Sequence, residues 1–116
     1  MQSGNKIITD APVDNKGKGE FFSPTDMVSA ALASCIFTIM GIEASQRGFV
    51  IDGAIARTTK IMASDPRRID EIRIEYDFSM LELSSEQQKV LNEITATCPV
   101  CLSVHPDLRK VISIKF

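Results

Sequence analysis

Three thiols and one imidazole are the side chains of this chain best suited to chemistry: Cys35, and Cys98, Cys101 and His105 in the run "CPVCLSVH". A Cys-x-x-Cys pair supports dithiol redox chemistry when it opens a helix, where the first thiol is acidified. The same pair followed by His105 has the spacing of metal ligands, and Cys35 would complete a tetrahedral set, although structural zinc sites usually carry two such pairs. Free cysteine is also among the most buried residue types, so Cys35 within an uncharged segment fits plain core packing. The residues alone leave all three readings open.

The elements that must position these thiols are marked by their caps and periods. Ser23-Pro24-Thr25-Asp26 places a hydroxyl at a helix cap, proline at the first helical position and a carboxylate three residues after the serine. From residue 27 to 42 no charge interrupts the helix, and its apolar residues point all round, which predicts burial between a sheet and a second helix, either of this chain or the same helix of a partner chain. The segment reads as too short and too rich in Ser and Thr to span a bilayer. Gly48 follows as its end.

Two strand-like runs come next, near residues 50–63 and 70–79. In the second, Ile72, Ile74, Tyr76 and Phe78 alternate with Arg73, Glu75 and Asp77. A second helix opens at Ser84 and is expected to carry the chain to Cys98, so that the Cys-x-x-Cys pair follows a helix rather than starting one, which weakens the thioredoxin-like reading. A final strand spans residues 111–116, and Lys6-Ile7-Ile8-Thr9 reads as a short leading strand before an exposed loop. Residues 1–116 form a single α+β domain, with no internal repeat or low-complexity segment.

Composition narrows the function classes. Thirteen basic residues against fifteen acidic ones give a net charge of −2, and no basic cluster offers a footprint for nucleic acid. The first residues lack the series of a secretion signal. A reducing, cytoplasmic location is the default expectation, with no membrane partner, and three cysteines there are reactive or inert thiols rather than a disulfide framework.

"FFSPTDMVSAALASCIFTIMGIEA" and "CPVCLSVHPDL" together resemble the two signature regions of the OsmC/Ohr family of thiol-dependent peroxidases. In that family a Ser/Asn-Pro-x-Asp/Glu helix start leads to a reactive cysteine, and a second Cys-Pro-Val follows. The separation of Cys35 and Cys98, 63 positions, is also similar, and "TDAPVDNKGKGE" resembles a loop of the OsmC-like branch. The resemblance implies an antiparallel sheet with a long central helix carrying Cys35, in an intertwined homodimer. It further implies that Cys35 is the peroxidatic thiol and Cys98 the resolving one, acting on organic hydroperoxides with a lipoyl-type dithiol as reductant and no metal or organic cofactor. Cys101 lies outside the family pattern, either an alternative resolving thiol or a passive core residue.

In the family a carboxylate ten residues before the reactive cysteine orients an arginine from an amino-terminal strand. This chain has Thr25 there, Asp26 beside it, and no arginine before Arg47. "SGNKIITDAP" lines up near the family's second strand, so a shortened amino terminus is expected. Cys35 stands about three turns into its helix, beyond the reach of the helix end, and Asp26 falls on the opposite side of the helix from it. Phe21, Phe22, Met27, Phe37 and Met40 are candidates to wall an apolar substrate pocket, or else simply core. The alternatives are a non-catalytic OsmC-like dimer, binding a small apolar ligand or serving as a redox-sensitive scaffold, and a structural metal-binding protein using Cys98, Cys101 and His105.

Overall fold

The Ser23 signal does start the central helix, α1 (Pro24–Gln46). Ser23 Oγ accepts from the Asp26 amide at 3.1 Å, and Asp26 Oδ2 accepts from the Ser23 amide at 2.9 Å, closing a reciprocal capping box. Arg47 and Gly48 terminate it, Gly48 at φ +81°, a conformation that favours glycine. The computed structural model describes residues 2–116.

Beyond α1 come β1 (Ile55–Ser64), β2 (Arg67–Asp77), α2 (Ser85–Glu93), a short α3 (Pro99–Ser103) and β3 (Arg109–Lys115). The three strands form one sheet in the order β1-β2-β3. The pair β1/β2 is antiparallel, but β2/β3 is parallel, so the sheet is mixed rather than antiparallel throughout. The cause is the crossover: α2 and α3 lie between β2 and β3 and return the chain to the end from which β2 began.

The alternation in β2 holds: Ile72, Ile74, Tyr76 and Phe78 are sealed, and α1 lays Leu32, Ile36 and Met40 over them. Phe37 packs edge-on against Tyr76 and Phe78, at centroid distances of 5.1 and 6.0 Å. Such aromatic pairs add about 0.5–1.5 kcal/mol each beyond the area they bury.

Three expectations need correction. Residues 6–9 form no strand; Ile7 and Ile8 are exposed because no neighbouring strand pairs with them among the described residues. The helix α1 has 23 residues and is, by length and composition alone, long enough to cross a membrane; its packing on the sheet makes it a core helix here. Nor is it buried on every side. Val28, Ala31, Ser34, Thr38 and Ile42, spaced by three and four, form an uncharged face open to solvent.

The chain is correspondingly large for its mass. Its accessible surface is 7974 Å², where a compact 12.8 kDa monomer exposes about 6,300 Å². Its radius of gyration is 15.8 Å, against about 13 Å for a compact domain of this length.

Candidate active site

Cys35 sits mid-way along α1, half-buried, at the boundary between the face that covers the sheet and the face that meets solvent. Cys98 is fully buried below it and Cys101 nearly so. All three are free thiols, and Cys98 and Cys101 share the buried cluster of Tyr76, against which Cys35 packs. Tyr76 is itself fixed by donating its hydroxyl to the Ala33 carbonyl at 2.9 Å. Burial, with the three thiols as neighbours, pushes its phenol well above the ordinary range, so Tyr76 is a neutral fixture of the site.

Here the expected course of the second helix is overturned. The helix α2 ends at Glu93, and the chain restarts at α3 with Cys98 as its N-cap and Pro99 in the first turn. The Cys98 Sγ accepts the Cys101 amide at 3.2 Å. The Cys-x-x-Cys pair therefore opens a helix after all. Burial raises the Cys98 thiol above its ordinary pKa, while the Cys101 amide and contact with the Cys35 thiol act in the opposite direction. The Cys101 thiol points back to the Thr95 carbonyl at 3.8 Å, a weak sulfur hydrogen bond.

Thr25 and Asp26 are engaged elsewhere. The Lys60 ammonium, on β1, donates to Thr25 Oγ1 at 2.7 Å and to Ser23 Oγ at 2.9 Å, and pairs with Asp26 Oδ1 at 2.8 Å. The hydrogen bond from Lys60, then that from the Ser23 amide, holds the Asp26 carboxyl below its usual range. Within one chain this cluster lies about 15 Å along the helix axis from Cys35, given a rise of roughly 1.5 Å per residue. Sequence reasoning missed Lys60. Its only signal was a lone charge inside the strand run "TTKIM".

The five candidate pocket residues do not come together in one chain. Met40 is sealed in the core, Phe37 belongs to the aromatic cluster, Met27 is half-buried, and Phe21 and Phe22 are exposed before α1. What exists instead is a shallow groove of about 520 Å³ between α1 and β1, lined by Ala30, Ala33, Ser34, Phe37 and Thr38 with Ala56 and Thr58. Nor does a metal set assemble: among the described residues no cluster of three or more His, Cys, Asp or Glu is placed to hold an ion. Cys98 and Cys101 are buried, whereas His105 is exposed and its Nδ1 accepts the Asp107 amide at 3.1 Å.

A long helix bearing a half-buried thiol, packed on a sheet above two further thiols, defines a cysteine-centred α+β fold, and comparison with known proteins gives it a family. The model for OsmC-like protein matches residues 17–110, and the chain belongs to that family. It is 50% identical to a Psychrobacter arcticus protein described as osmotic stress induced and of the detoxification response. That likeness has a TM-score of 0.92 and covers 99% of this chain and 83% of the other. The fold is shared with an organic hydroperoxide resistance protein OsmC of Legionella pneumophila (13% identity, TM-score 0.78, covering 99% and 85%). It is shared also with the organic hydroperoxide resistance protein OhrB of Bacillus subtilis (14%, 0.61, 82% and 71%). No curated protein matches the chain.

Proposed function

We propose that this protein reduces organic hydroperoxides with Cys35 as the attacking thiol and Cys98 as the resolving one. The observation that carries the reading is that a half-buried Cys35 packs against the buried cluster that holds a sealed Cys98, with the two thiols as neighbours. The Cys35 thiolate attacks the peroxide oxygen; the O–O bond breaks, the alkoxide leaves and is protonated to the alcohol, and Cys35 becomes a sulfenic acid. The Cys98 thiolate then attacks the Cys35 sulfur, an S–S bond forms, and the displaced hydroxide leaves as water. A dithiol, lipoyl-type in related proteins, restores both thiols by exchange and is itself oxidised to a disulfide.

The protein acts as a homodimer, in which the uncharged face of α1 is covered by the same face of a second copy. Support comes from the sixteen charge-free positions at residues 27–42 and from surface in excess of a compact monomer by about 1,700 Å², beyond the roughly 800 Å² that each partner of a standard interface buries. Catalysis in the cytoplasm fits a chain whose mechanism needs its thiols reduced between turnovers.

The test is to mix the reduced protein with one equivalent of an organic hydroperoxide, follow peroxide loss, and map the first disulfide formed. Loss far faster than by free cysteine, with Cys35 and Cys98 linked at early times, is the expected result. Loss no faster than by free cysteine overturns the reading and leaves a family member without the chemistry.

The rate of disulfide formation should also depend steeply on pH. The attacking species is the Cys98 thiolate, and burial keeps the protonated form dominant at neutral pH. Below the raised pKa the thiolate fraction grows with pH, so the second phase of a stopped-flow trace should accelerate about tenfold per unit between roughly pH 6 and pH 8, below even the ordinary thiol range. A phase independent of pH over that range would show that Cys98 is not the nucleophile.

A further inference from the structure

The reaction above leaves one buried thiol unused. Cys101 is 7% exposed, outside the two-cysteine scheme, and yet built into the same cluster. Cys98 and Cys101 are the cap and third residue of α3, one turn apart, and the 3.2 Å hydrogen bond from the Cys101 amide folds the Cys98 sulfur over the Cys101 backbone. In a regular helix residues so spaced have Cβ atoms about 5–6 Å apart, wider than the roughly 3.5–4.5 Å of a disulfide. Cys98 is the cap, however, with extended φ −72° and ψ 145°, so closing the pair takes a backbone adjustment at the helix start and not within the regular turn. Cys35 of α1 packs against the buried cluster that contains both Cys98 and Cys101, and its thiol is a neighbour of Cys98.

We propose that Cys98 is the middle member of a three-thiol relay, in which the Cys101 thiolate converts a Cys35–Cys98 disulfide into a Cys98–Cys101 disulfide and releases Cys35. This inference rests on the peroxidase reading for its physiological oxidant, but the exchange itself does not need peroxide. The Cys101 sulfur attacks the Cys98 sulfur; the Cys35–Cys98 bond breaks, and its electron pair leaves on Cys35, which takes up the proton that Cys101 gave up. One disulfide and one thiol are present before and after, so no electrons enter or leave.

Burial supports this course. Cys98 has no solvent-exposed surface, so an external dithiol cannot reach its sulfur, and a nucleophile from within α3 can. Burial also makes Cys98 a poor leaving group, whereas the departing Cys35 thiolate is open to solvent on one side. The consequence is an enzyme that regains its attacking thiol before any reductant arrives and stores the oxidation in a local pair.

The experiment oxidises the reduced full-length chain in two ways, with one equivalent of tert-butyl hydroperoxide and, separately, with diamide, which needs no peroxidase activity. Samples quenched in acid, where exchange stops, are alkylated and their disulfides mapped over time. The Cys35–Cys98 linkage should rise first and then give way to Cys98–Cys101, ending in roughly tenfold excess or more with Cys35 free to alkylate. In Cys101→Ser, and in Cys101→Ala as a second variant, Cys35–Cys98 should persist, and in a separate run with two equivalents of the hydroperoxide and no reductant the variants should consume about half of what the native chain consumes. A persistent Cys35–Cys98 bond in the native chain, with Cys101 alkylated, overturns the relay; so does a Cys98–Cys101 bond that forms with no Cys35–Cys98 precursor. Exchange after diamide without any peroxide consumption would sink the peroxidase reading and leave the relay standing.

Discussion

Replacing Cys35 by serine should abolish peroxide turnover, a fall of at least about a thousandfold in kcat/KM, or roughly 4 kcal/mol of transition-state stabilisation. A serine hydroxyl is almost wholly protonated at neutral pH, so the nucleophile is lost while the side chain keeps its size. The partner variant, Cys98→Ser, should behave differently. Its Cys35 still meets solvent, so one equivalent of peroxide is consumed at close to the native rate, after which cycling with a dithiol slows sharply. With no thiol in contact, the Cys35 sulfenic acid persists, and excess peroxide carries it on to the irreversible sulfinic acid. Peroxide consumption and intact-protein mass, where sulfinic acid shows as two added oxygens, read both variants. Full turnover by Cys35→Ser would remove Cys35 from the mechanism, and unimpaired cycling by Cys98→Ser would assign resolution to Cys101.

The contrast between those two cysteines was legible in the sequence only in part. The capping signal at Ser23, the alternation through Ile72, Ile74, Tyr76 and Phe78, and the helix that carries Cys35 are all local, and local patterns survive folding. The environment of Cys98 was not legible. The apolar spacing of Val90, Leu91 and Ile94 invited one continuous helix, and cysteine is not a usual N-cap, so the break after Glu93 and the restart at Pro99 were hidden. Pro99 at the first helical position was the signal that could have found it. Lys60 was invisible for another reason: its three oxygens lie 34 or more positions earlier in the chain, and only the packing of α1 on β1 brings them together. The parallel pairing of β3 with β2 likewise depends on a crossover that no strand pattern encodes.

The open face of α1 yields the second large effect. Ala31 is exposed in the single chain, in line with Val28, Ser34, Thr38 and Ile42, and glutamate is a good helix former. In an isolated chain Ala31→Glu would therefore be nearly neutral. In a dimer joined through this face the new carboxylate is buried without a cationic partner, because no charged residue lies between positions 27 and 42. A two-fold axis also brings the same substitution on the second copy to the same interface. An unpaired buried charge costs about 3–5 kcal/mol, which corresponds to a dimer dissociation constant weakened by at least a hundredfold. Light scattering and sedimentation equilibrium at micromolar protein should find the native chain dimeric and Ala31→Glu dissociated. Circular dichroism then tells whether the released chain keeps its fold, given that it exposes more surface than a compact monomer. Thr38→Val, which adds no charge, should leave association intact. A native chain that is monomeric, or an Ala31→Glu chain that dimerises as tightly as the native one, would place the covering of α1 somewhere other than in a second copy.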